Sequence, residues 1–198
     1  KKPFLQFGYN KPISFYQTNR LANKVANGLL EMGIKKGDKV AVYMPNSDDY
    51  VITWFGILKM GAVMVPINTG YKMDFLQYII DSSDSTVLFI AEEYLERMPP
   101  IAKKIPQLKN VIVWTRDGSP KFDKHGYNFK KMTSYTKFIT PQKTSEPKVD
   151  ITFVDHARLM YTSGTTGRSK GVVRPCAADY SSANNYAQIM DVGPKDVC

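Results

Sequence analysis

Four short apolar runs constrain this chain most: residues 39–44 (KVAVYM), 62–67 (AVMVPI), 86–90 (TVLFI) and 111–114 (VIVW). Each is short enough for a strand and apolar on both alternating faces, the pattern of a strand buried on both sides. Helical stretches separate the first three, a broken one separates the third from the fourth, and no hairpin turn joins consecutive runs. Strands joined through helices must run parallel, with the helices on the sheet faces. The expected fold class is therefore α/β, a largely parallel sheet flanked by helices, with ligands bound beyond the carboxyl ends of the strands.

In order, residues 1–12 read as an irregular lead-in with an extended piece near Phe4 to Phe7. Ser14 to Met32 reads as a helix capped by Ser14, with Leu21, Val25, Leu29 and Met32 at helical spacing and Gly33 as its stop. Ser47 begins a second helix, its first turn carrying Asp48 and Asp49, and Gly61 ends it. Pro66 marks the exit of the strand that follows. Met73 to Asp81 is a third helix with Phe75, Leu76, Ile79 and Ile80 inward. Glu92 to Ile105 is helical in parts, broken at Pro99-Pro100. The lysine-rich, polar stretch 115–150 is expected to be a surface excursion with one short helix near Phe129 to Tyr135. Ala177 to Met190 reads as a last helix, with Tyr180, Ala183, Ala187 and Met190 as core positions.

Between the short strand at Leu159 to Tyr161 and the apolar pair Val172-Val173 lies TSGTTGRSKG. Every residue from Thr162 to Gly167 is Gly, Ser or Thr, and Lys170 follows. Gly164 and Gly167 allow backbone N–H groups to converge into an anion-binding nest. Thr162, Ser163, Thr165 and Thr166 add rotatable hydroxyl donors, and Lys170 adds a point charge suited to phosphate. A plain flexible linker has no reason to be bounded by apolar runs and closed by a lysine. The Walker pattern is excluded, since it places glycine directly before the lysine and a hydroxyl residue directly after. Here Ser169 precedes Lys170 and Gly171 follows it.

YTSGTTGRSKGV resembles the signature loop of the adenylate-forming (AMP-binding) superfamily, which includes acyl-CoA synthetases, peptide-synthetase adenylation domains and luciferases. Upstream, GIKKGDKVAVYMPNS and GAVMVPIN stand where similar segments stand in acyl-CoA synthetases, and WFGILKMGAVMVPIN is most similar to the carnitine- and crotonobetaine-CoA ligase branch. Two departures are visible. Ser169 replaces the usual proline, which should loosen the loop, and Cys176 stands near the usual position of a histidine. The resemblance implies an ATP-dependent acid–CoA ligase that forms an acyl-adenylate and passes the acyl group to CoA. It implies Thr162, Ser163, Gly164, Thr165, Thr166, Gly167 and Lys170 as nucleotide-phosphate contacts. Its substrates would be ATP, CoA and a carboxylic acid, with Mg²⁺ held by residues further along a longer parent. On this reading residues 1–198 are the N-terminal portion of the AMP-binding domain. The rest of the large domain and a C-terminal domain are expected elsewhere in the parent, no catalytic residue lies within this piece, and the piece alone is expected to be inactive. The alternative is a stand-alone, non-catalytic nucleotide-binding module.

Composition narrows the partners. The chain of 198 residues carries 27 Lys+Arg against 18 Asp+Glu, a formal charge of +9. The excess suits an anionic small molecule, and equally a solvated lysine-rich surface. The lysines are scattered, with no dense basic run, which argues against nucleic acid. Cys176 and Cys198 form no disulfide framework and no zinc pattern, which fits a reducing cytoplasm. Cys176 is expected to pack rather than react. His125 and His156, the two histidines, support no triad. The longest apolar stretch, Val51 to Ile67, is interrupted by Lys59, Gly61 and Pro66, so stable membrane insertion is not expected. An isolated piece is expected to self-associate through apolar surface meant for missing elements.

Overall fold

A computed structural model describes residues 2–8, 10–122, 127, 129–162, 169–193 and 196. A short antiparallel pair, β1 (Pro3–Leu5) and β2 (Ile13–Ser14), leads into α1 (Phe15–Glu31). Ser14 forms a reciprocal capping box with Gln17, satisfying donors that the first helical turn leaves unpaired. The chain then alternates β3 (Lys39–Tyr43), α2 (Asp48–Lys59), β4 (Val63–Pro66), α3 (Met73–Ser82) and β5 (Val87–Ala91). Gly33 and Gly61 follow the first two helices at φ of 82° and 72°, the left-handed region that a Cβ disfavours. Two 3₁₀ segments, Glu92–Arg97 and Ala102–Lys104, flank Pro99-Pro100 and deliver the chain to β6 (Asn110–Trp114). The seven-stranded sheet has the order β7-β6-β5-β3-β4-β8-β9, with β7 (Lys131–Ser134), β8 (His156–Tyr161) and β9 (Gly171–Pro175) completing it.

Alternation along each strand sorts side chains into two cores. Val40, Val42, Met64, Phe89 and Ile112 meet α1 and α2 on one face. Ala41, Tyr43, Val65, Leu88, Ile90 and Val113 meet α3 and the 3₁₀ segments on the other. Helices α1 and α2 approach closely at Gly56, where an added Cβ would lie 2.5 Å from Val25 Cβ and 2.9 Å from the Ala22 carbonyl. The neighbouring parallel strands β3 and β4 thus send their helices to opposite faces. Such a switch point leaves a crevice at the carboxyl ends.

Several expectations need correction. The stretch 115–150 is not only a surface excursion. It supplies β7, which extends the sheet in parallel beside β6, and α4 (Tyr135–Ile139) in place of a helix near 129–135. Tyr135 and Phe138, one helical turn apart, are buried against Phe89. The lysines Lys130 and Lys131 that made the segment read as polar decorate an edge strand, where charge discourages further pairing. The remainder straps α1: Asn23 Nδ2 donates to the Thr144 carbonyl (2.9 Å), and Asn27 Nδ2 to those of Lys143 (3.0 Å) and Ser145 (2.9 Å). Phe75 is exposed rather than inward, because the buried face of α3 is set by Leu76, Ile79 and Ile80. The last helix, α5 (Cys176–Ile189), buries none of its residues, and Tyr180 and Met190 are exposed. Its apolar side chains are spread around the helix rather than striped. Finally, β8 and β9 pair antiparallel, a hairpin that the helix-separated pattern upstream did not foreshadow.

Candidate functional site

The hairpin carries the glycine-, serine- and threonine-rich loop. Strand β8 runs parallel to β4, with Arg158 opposite Met64, so its carboxyl end at Tyr161 points the same way as those of β3 and β4. Tyr161 lies opposite Gly171 across the hairpin. Beyond that pair, Thr162 N–H donates to the Lys170 carbonyl at 3.1 Å, and Lys170 N–H to Thr162 Oγ1 at 3.3 Å. Of the loop residues proposed from sequence, Ser163, Gly164, Thr165, Thr166 and Gly167 lie outside the described residues, as does His125. Thr162 and Lys170 are described, and the structure brings them together as the two ends of the loop, both exposed. Among the described residues Lys170 makes no ion pair.

The expectation that replacing proline by Ser169 loosens the loop is not met at its base. Ser169 is buried, at 4% exposure, and its hydroxyl donates to the Thr162 carbonyl. A cross-hairpin hydrogen bond restrains the position where proline would restrain φ. Helix α3 adds two further tethers: Tyr78 OH donates to the Ser169 carbonyl at 2.9 Å, and the Tyr161 and Ser82 hydroxyls lie 2.8 Å apart. The Tyr78 and Tyr161 rings meet edge to face at 6.1 Å. Burial pushes the Tyr161 phenol above its ordinary value, outweighing the hydrogen bond with Ser82, so it stays a neutral hydroxyl. A Cβ added at Gly171 would lie 2.9 Å from Leu159 Cδ1 and 3.4 Å from Tyr161 Cζ, so a larger residue there would push the end of the Leu159 side chain aside. Tyr78 and Ser82 escaped the sequence reading. Their only signal is a pair of polar groups one helical turn apart on α3, and nothing local says what they reach.

The loop opens beside the crevice at the sheet's switch point. A cleft of about 460 Å³ is lined by Pro45 and Asn46 after β3, Asn68 and Thr69 after β4, and Met160 and Tyr161 at the end of β8. Arg97 braces its floor, donating to the Thr69 carbonyl at 2.7 Å and to Tyr43 OH, with its guanidinium 4.4 Å from the centre of the Tyr94 ring. On the far side of the hairpin, Arg158 bonds Asp179 of α5 and stacks on Trp54 at 4.9 Å. Cys176 begins α5. Burial pushes its thiol up, which suits a packing residue rather than a nucleophile. Among the described residues, no three His, Cys, Asp or Glu side chains converge as a metal site.

The two ends of the loop thus stand together at the carboxyl end of β8, beside those of β3 and β4. Residues 1–198 match the AMP-binding enzyme family over their whole length. The chain belongs to that family. It is 32% identical over 184 residues to a long-chain-fatty-acid–CoA ligase of Mycobacterium tuberculosis, covering 93% of this chain and 34% of that protein. It is 30% identical over 168 residues to a crotonobetaine/carnitine–CoA ligase of Citrobacter koseri, covering 84% of this chain and 31% of the relative. Among solved structures, an anthranilate CoA ligase in complex with anthranoyl-AMP superposes with a TM-score of 0.79 at 30% identity, over 90% of this chain and 32% of the other. ATP-bound MatB from Rhodopseudomonas palustris gives 0.83 at 25% identity, over 98% of this chain and 36% of that one. The chain therefore spans about a third of the length of the relatives it matches. Its adenylate-forming ligase fold, a mostly parallel sheet flanked by helices, is shared with them.

Proposed function

We propose that this chain is the part of an ATP-dependent acid–CoA ligase that holds the phosphates of ATP. The observation that carries the reading is the pinned hairpin, which presents Lys170 and the hydroxyl of Thr162 at the carboxyl ends of the strands. The names of the relatives agree with it, since they are CoA ligases, and one solved neighbour holds ATP. In the reaction a carboxylate oxygen attacks the α-phosphorus of ATP, and the bond to the bridging oxygen breaks to release pyrophosphate. The CoA thiol then gives its proton to solvent, the resulting thiolate attacks the acyl carbon, and AMP departs with the bonding electrons. Lys170 lowers the cost of the charge that gathers on the leaving pyrophosphate, and the residues from Thr162 to Gly167 offer N–H and hydroxyl donors to the phosphate oxygens. Thr162 and Lys170 fit a polyphosphate. Mg²⁺, when bound, would neutralise further phosphate charge, and its carboxylate ligands are assigned to the part of a full-length ligase that this chain does not contain.

The acid is a fatty acid or a carnitine-like acid, a range spanned by the names of the relatives. Apolar side chains exposed on β9 and α5, among them Val172, Val173, Ile189 and Met190, support self-association of the isolated chain. Among the described residues no helix is long and apolar enough to cross a membrane, and with the cysteine usage this supports a cytoplasmic location. The test is carboxylate-dependent ATP–pyrophosphate exchange by the longest natural polypeptide carrying this segment, with fatty acids and carnitine among the acids offered. Lys170→Ala should weaken productive ATP binding by roughly one to two decades. No exchange with any acid, together with tight nucleotide binding by residues 1–198 alone, would favour a stand-alone nucleotide-binding module instead.

A further inference from the structure

We propose that Tyr78 on α3 is a positioning residue for the nucleotide loop, and that Ser82 seconds it. The proposal rests on the reading of that loop as the phosphate cradle. Helix α3 is a rigid support: Leu76, Ile79 and Ile80 are buried in the sheet's second core, while Tyr78 and Ser82 face the hairpin. Both legs of the loop are tied to this one helix. On the returning leg, the Tyr78 hydroxyl donates to the Ser169 carbonyl, immediately before Lys170. On the outgoing leg, Ser82 Oγ lies 2.6 Å from the Tyr78 carbonyl as its donor. With its single hydrogen so used, it accepts from Tyr161 OH, immediately before Thr162. The two tyrosine rings pack edge to face between the tethers.

Thr162 and Lys170, the two ends of the loop, are therefore each one position away from a residue anchored to α3. With Thr162 and Lys170 held in place before ATP arrives, less order is lost at these two positions on binding. Proline, the usual family residue at position 169, has no hydroxyl for Thr162 but retains the carbonyl that Tyr78 reaches. The tether from α3 is thus independent of the serine side chain.

The experiment uses the full-length natural polypeptide and compares wild type, Tyr78→Phe, Ser82→Ala and Lys170→Ala. It measures ATP affinity by calorimetry, KM for ATP and for the acid in pyrophosphate exchange, and Tm. Tyr78→Phe keeps the ring and removes the hydrogen bond to the Ser169 carbonyl. The expected result is a 2- to 10-fold weaker ATP Kd and a matching rise in KM for ATP, with KM for the acid and Tm unchanged. Ser82→Ala should act in the same direction. Tyr78→Phe should have a similar effect in a Ser169→Pro background. If Lys170→Ala weakens ATP binding while Tyr78→Phe binds ATP as wild type does, the positioning role is overturned and the phosphate-loop reading stands. A Tyr78→Phe protein whose Tm falls, and whose two KM values rise together, overturns it also, since that is the mark of a merely structural residue. If Lys170→Ala binds ATP normally, the phosphate-loop reading itself fails, and this inference with it.

Discussion

Helix α5 should be held to the sheet chiefly by a single carboxylate, and Asp179→Asn tests this. No residue of α5 is buried, so burial of apolar surface contributes little to keeping it folded. Asp179 Oδ1 accepts from Arg158 of β8, and from Arg174 Nε of β9 at 3.2 Å. Its side chain is 18% exposed, those of Arg158 and Arg174 21% and 34%. Two backbone bonds, from Cys176 to Asp155 and from Ala177 to Phe153, anchor only the first turn. Hydrogen bonds to charged groups contribute ~1.5–3 kcal/mol each when sheltered, and an acid in a helix's first turn adds ~0.3–1 kcal/mol. Solvent access to all three side chains discounts the sum, leaving about 2 kcal/mol. An asparagine forfeits the charge and leaves two guanidinium groups side by side. The opening equilibrium of α5 should then rise about 30-fold. Hydrogen exchange read by mass spectrometry on residues 176–189 measures it directly, with β3 and β5 as internal references. Added salt should narrow the difference between wild type and variant. Unchanged protection of α5 in Asp179→Asn would refute the reasoning and assign the helix's stability to its own backbone, to the bonds from Arg174 to Ser182 Oγ (3.0 Å) and the Ala178 carbonyl (3.4 Å), or to the exposed Phe153–Tyr180 contact.

Other outcomes follow from the packing and the buried charge. Gly56→Ala drives a methyl into Val25 and the Ala22 carbonyl, and should cost about 1–3 kcal/mol in urea unfolding, with the m-value unchanged. Asp49 is held by a 2.7 Å hydrogen bond from Trp114 Nε1, yet burial pushes its carboxyl above the ordinary value of 3.8. The folded state therefore holds this proton more tightly than the unfolded chain. The group's contribution falls as pH rises from 3.8 through the folded value. Asp49→Asn should remove that component, seen as a stability difference from wild type that grows with pH across this window; a difference independent of pH would rule out the titration. Glu146 has the opposite sign: Lys59 beside it holds its carboxyl below the usual range. Its small contribution is lost as pH falls through that lowered value, and Glu146→Gln should flatten the acid limb of the stability profile.

The backbone of this fold was legible because its signals are local. The four apolar runs became β3 to β6, Ser14 and Ser47 became N-caps, and Gly33 and Gly61 ended helices. Each depends on nearest neighbours along the chain: the alternation of a strand, one side-chain oxygen reaching an N–H three residues on, a φ that a Cβ resists. The bounds of the loop were legible for the same reason, since the apolar runs on either side of it became β8 and β9.

What the tertiary structure alone decided is where elements without a strong pattern of their own come to rest. A short run of Lys131 to Ser134 is a strand only because β6 offers an open edge, and Phe138 is a core residue only because Phe89 stands opposite. Apolar residues of α5 stay exposed because none of the described residues covers them. The tethers from Tyr78 and Ser82 to the loop span most of a hundred positions. A hydrogen bond between side chains so far apart leaves no periodicity in sequence. It exists only once the sheet has brought α3 and the hairpin to the same edge.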